Sequence, residues 1–66
     1  MKVHMIQETN MNNSKVFSSK EKAFAEIKRN YPDSVKEKVS DGLYFFYENK
    51  DNKEEPVFVY SLEEVF

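Results

Sequence analysis

The sequence predicts a small two-layer α+β domain, with one helix packed on one face of a three- to four-stranded antiparallel or mixed sheet, in the order strand, helix, strand, strand. Three observations lead there. Residues 18 to 31 place apolar side chains at helical spacing behind a capping signal. LYFFYE (43–48) and PVFVYS (56–61) are short aromatic and β-branched runs joined by a polar loop, the pattern of a hairpin. The chain has 66 residues, and a chain near that length buries only about 60% of its unfolded surface, so residues 1–66 read as one domain with one core.

The first strand is KVHMIQE, residues 2 to 8, with Val3 and Met5 on one side and His4 and Ile6 on the other. TNMNNS breaks it, since Asn10, Asn12 and Asn13 favour turns through amide bonds to nearby backbone. Ser18 and Glu21 stand at capping-box spacing and predict the helix start. Ala23, Phe24, Ile27 and Tyr31 then form one apolar stripe, while Lys20, Lys22, Glu26 and Lys28 take the other side. Pro32 disfavours a helical Tyr31 and ends the run. About three turns of helix do not persist alone in water, so the stripe must dock on the sheet.

PDSVKEKVSDG suits a strand or a further helical turn, and a strand over residues 34–39 is the preferred reading. Asp41-Gly42 signals a turn, and Gly42 is the only glycine, placed where a dihedral that other residues resist is expected. Pro56 opens the last strand, where a missing amide donor is harmless. SLEEVF is read as a short helical turn capped by Ser61, or as a lid that lays Leu62, Val65 and Phe66 over the sheet.

The aromatic strand carries the functional question. Leu43, Phe45 and Tyr47 lie on one face of LYFFYE and Tyr44 and Phe46 on the other, so both faces are apolar. One helix covers only one face of a sheet, and a contiguous exposed apolar patch usually marks an interaction site. The expected contact set is Tyr44, Phe46, Phe58 and Tyr60, with Asp51, Glu54 and Glu55 steering the approach of a partner. If the faces are inverted, Phe45, Tyr47, Val57 and Val59 take that role.

Other chemistries find little support. The chain has no Cys and a single histidine, His4, which excludes disulfides and the paired ligands of a zinc site. One glycine cannot build a phosphate-cradling loop, and no serine sits in an elbow motif, so neither cofactor nor catalytic residues are expected. Glu54-Glu55 and Glu63-Glu64 are adjacent pairs, and neighbours on a strand point to opposite faces. No apolar run reaches the roughly 18 residues of a membrane span, and MKVHMIQETNMNN lacks the apolar core of an export signal. A cytoplasmic protein is the expectation.

Charge is unevenly spread along the chain. Net charge is −2, but residues 15 to 38 carry seven cations against four anions, and residues 41 to 66 carry two against seven. A basic helix side and an acidic hairpin side follow. The second functional reading is a single-stranded nucleic-acid binder, because GLYFFY echoes the aromatic strand of RNA-recognition modules. Asp41 stands where that motif wants a basic residue, and the acidic hairpin opposes phosphate. A third reading is a homodimeric structural protein that covers its own spare face.

Met1-Lys2-Val3 and the segment Val16 to Ala23, VFSSKEKA, resemble small proteins of phages and prophages of low-GC bacteria. The resemblance covers roughly a sixth of the chain. It implies a non-enzymatic module that binds a host or anti-phage defence protein and blocks or redirects it, and it brings no site residues with it.

Overall fold

The computed structural model describes residues 1–10 and 13–65. Its elements run β1 (Lys2–Glu8), β2 (Asn13–Phe17), α1 (Lys20–Asn30), β3 (Val35–Ser40), β4 (Leu43–Tyr47) and β5 (Phe58–Glu64). The strands form one sheet in the order β2-β1-β5-β4-β3, and every neighbouring pair is antiparallel. The α+β class and the single helix among the described residues agree with the sequence reading, while the described strands number five.

The added strand is β2, which takes in Asn13 and Ser14, expected in the TNMNNS turn, and runs on to Phe17. NSKVF shows no apolar alternation because it is an edge strand whose helix side carries Asn13 and Lys15 beside the single core-packed Phe17, and Lys15 Nζ donates to Glu26 Oε2 at 2.7 Å. The cap also moves by one residue. Ser19, in extended conformation, accepts from the Lys22 amide through its side chain, and Ser18 Oγ instead receives Lys22 Nζ at 3.3 Å. The helix ends at Tyr31, whose amide donates to Ile27 O at 2.8 Å, immediately before Pro32.

Residues 61–65 of the tail form neither a helical turn nor a lid. Ser61 to Glu64 continue β5 and pair with Lys2 to Met5 of β1. The Val65 amide then donates to Met1 O at 2.7 Å. Phe66 and Asn12, which entered the lid and turn expectations, lie outside the described residues. Residues 35–40 form a strand, as preferred from sequence, with a bulge between Lys38 and Ser40. Gly42 has φ +76° in the β3–β4 turn, the left-handed region that glycine enters without penalty.

The core lies between α1 and one face of the sheet. Ile6, Ala23, Ile27, Phe46, Phe58 and Tyr60 are buried together, with Phe17, Phe24, Tyr31, Tyr44 and Val57 packed against them. Phe24 is the hub. Its ring meets Tyr44, Phe46 and Tyr60 edge-on at 5.7, 5.0 and 5.0 Å, a geometry that aligns positive ring edges with negative faces. Each large apolar side chain buried here contributes about 1.5–3 kcal/mol, and the helix, too short to stand alone, is held by that contact.

Candidate functional site

Register decides which residues share a face. Ile6 lies opposite Tyr60, Tyr60 opposite Tyr44 and Phe58 opposite Phe46, so these five side chains share the helix-covered face. Residues between them point the other way. Phe46 and Tyr60 are 3% and 1% exposed, and Phe58 is buried beside them. Tyr44 is half-buried, with Lys20 Nζ 5.4 Å from its ring centroid. The contact set first expected from sequence is therefore the core and its border, because the helix stripe docks on those rings rather than on their neighbours.

The inverted set fares differently. Phe45 and Val59 are opposite each other on the face away from the helix, and both are half-buried. Tyr47 points to the same side by alternation but is buried, and Val57 packs against the core. Sequence reasoning put Leu43 with Phe45 and Val3 with Met5 but did not join them or Val16 into this face. Val3 and Met5 of β1, Leu43 of β4 and Val16 of β2 complete it, joined in a row by the pairs Val16 with Met5, Met5 with Ser61 and Ser61 with Leu43. Val16 is 60% exposed. No described element lies over this face, since the only described helix is on the opposite side and the C-terminal segment is a strand.

The charges of the strands divide by face. Lys15 lies opposite Ile6, Lys36 opposite Phe46 and Lys38 opposite Tyr44, and Lys2 opposite Glu64, which places every strand lysine on the helix side. Lys36 Nζ stands 5.2 Å from the Phe24 ring centroid, in agreement with that assignment. Glu37 lies opposite Phe45 and Glu63 opposite Val3, on the open side. The open face thus mixes apolar side chains with Gln7, Ser61 and two carboxylates; its strands carry no cation, and the loop residue Lys50 borders it beside Val35.

Asp51, Glu54 and Glu55 are exposed in the segment that joins β4 to β5, at the end of the sheet near the helix C-terminus. That segment is folded on itself: the Asp51 amide donates to Asn49 Oδ1 at 2.9 Å and Asn52 Nδ2 to Glu48 Oε2 at 3.0 Å. Glu54 and Glu55 border a shallow recess with Asn10, Tyr31, Pro56 and Val57. They lie beside the core's end and off the open face. A smaller cavity of about 80 Å³ between α1 and the sheet is lined by Ile6, Glu8, Lys15, Glu26 and Phe58 among others. Its Glu26 is committed to Lys15 and Arg29, whose bonds hold its carboxyl below the usual carboxylate range against the opposing effect of burial.

Among the described residues no group of three or more His, Asp or Glu is placed to hold a metal ion, and no helix is long and apolar enough to cross a membrane. Comparison with protein-family models, with curated proteins and with solved structures produced no match.

Proposed function

We propose that this chain is a non-enzymatic protein-interaction module that docks a protein partner on the sheet face opposite its helix. The observation that carries the reading is the row of Val16, Met5, Val3, Leu43, Phe45 and Val59, half-buried apart from the exposed Val16, over which no described helix or strand lies, on a sheet whose other face is already filled. Surface of this kind stabilises the protein only when something covers it. Blocking or redirecting the docked protein is the form of action this reading takes. The lack of cations on the strands of this face favours a protein over a nucleic acid, whose phosphates require them.

The test is site-directed photocrosslinking in cells that express the chain. A crosslinking residue at position 45 should yield a discrete protein adduct that the same residue at Lys22, on the outer helix surface, does not. Equal capture from both positions, or none from position 45, would refute the docking face.

A further inference from the structure

We infer that the partner of the open face is a cationic protein surface, with aliphatic or aromatic side chains at its centre and Lys or Arg at its margin. The inference rests on the docking reading above and adds the partner's chemistry. Five strands about 4.8 Å apart and roughly six residues long span a footprint on the order of 400 Å². That footprint includes Gln7, Ser61, Glu37 and Glu63 as well as the apolar row, and it is below the roughly 800 Å² per partner of a stable interface. A partner must therefore also engage what borders the apolar row.

On the strands that border is acidic. Glu37 stands on the outermost strand β3 and Glu63 near the end of β5, both exposed and on the open side. Neither has a salt-bridge partner among the described contacts. The strand lysines Lys2, Lys15, Lys36 and Lys38 all face the helix layer, and the loop residue Lys50, beside Val35 at one end of the face, forms no salt bridge with either acid. A second copy laid face to face would bring four carboxylates together with no strand cation between them. A foreign surface carrying Lys or Arg meets both demands, because it buries the row and pairs the two acids.

The experiment selects random 12-residue peptides, displayed on a carrier, on the full chain, and then measures the best peptide as a synthetic ligand. Enriched peptides should combine Val, Leu or Phe with Lys or Arg. Reversing both acids with Glu37→Lys and Glu63→Lys should weaken binding by about tenfold or more. The same reversal at Glu54 and Glu55, off the face, should leave it within about twofold. Peptides that lack cations, or indifference to the Glu37 and Glu63 reversals, overturn the charge inference while docking survives. Binding unchanged by Phe45→Thr removes the docking face itself. A failure to enrich any peptide overturns the inference, as does a self-associated chain in sedimentation that Phe45→Thr converts to monomer.

Discussion

His4 Nδ1 lies 2.7 Å from the phenolic oxygen of Tyr60, with the two rings stacked at 24° and 6.0 Å between centroids. Tyr60 is 1% exposed, so its hydroxyl depends on a protein partner. Burial, followed by Tyr44 and Glu21, pushes its titration above the ordinary tyrosine range, and the phenol stays neutral. His4→Leu strands that hydroxyl and should cost about 1–3 kcal/mol, whereas Tyr60→Phe removes the group that needs the bond and should cost about 1 kcal/mol or less. The double variant should therefore be more stable than the two single losses add up to. Urea unfolding of the four proteins checks this, and strict additivity would show that the pair does not interact.

Adjacent residues of β4 have opposite fates. Phe46 touches Phe24 in the core, while Phe45 faces away from the helix beside Val59 and Glu37. Phe46→Ala should cost about 3–5 kcal/mol, as much as a core of this size supplies in total, about 3–5 kcal/mol, and the domain should not fold. Phe45→Thr loses only cross-strand contact, about 0.2–1 kcal/mol, and should keep the native circular dichroism. If Phe45→Thr also unfolds the chain, its face is covered and the docking reading is lost.

These opposite fates also show where the sequence was legible. The helix stripe, the Gly42 turn and the two aromatic strands each had a local signal strong enough to read. The choice of face did not, because LYFFY is apolar on both sides and alternation alone gives no sign. That sign lay in the next strand. In FVYSLEE, Phe58, Tyr60 and Leu62 alternate with Val59, Ser61 and Glu63, and the polar pair marks the 59, 61, 63 side as outward. Reading SLEEVF as a helical turn cut the strand before that contrast began. Strand β2 was hidden for another reason: its inward lysine is satisfied by Glu26 of the helix, a tertiary ion pair that no periodicity announces.

Glu26 joins that edge strand to the helix, and its pH dependence follows from the direction of its shift. The hydrogen bond from Lys15 and the charges of Arg29 and Lys15 outweigh burial and lower its titration in the folded state. A lowered folded value means that the unfolded chain takes up its proton first as pH falls. The contribution of Glu26 is thus complete above the ordinary carboxylate range near 4.3 and disappears as pH drops through the folded value. Glu26→Gln should be less stable than the native chain at pH 7, and the gap should close on acidification. A gap that is constant from pH 7 to pH 2 would mean that the carboxylate's charge contributes nothing.

Gly42 faces two constraints at once. Its φ of +76° costs an ordinary L-residue about 1–2 kcal/mol, and a Cβ there would stand 3.1 Å from the Cβ of Leu62. Leu62 has little room to retreat, since its own amide donates to Gly42 O at 2.8 Å. Gly42→Ala meets both penalties and should destabilise by about 1–3 kcal/mol. Gly42→Asn separates them, because asparagine tolerates the left-handed region but carries the same Cβ. If the dihedral dominates, Asn should be the milder replacement; if the approach of Leu62 dominates, Ala and Asn should cost the same. Thermal unfolding of both variants decides between the two, and a Gly42→Ala protein as stable as the native chain would show that neither constraint governs the turn.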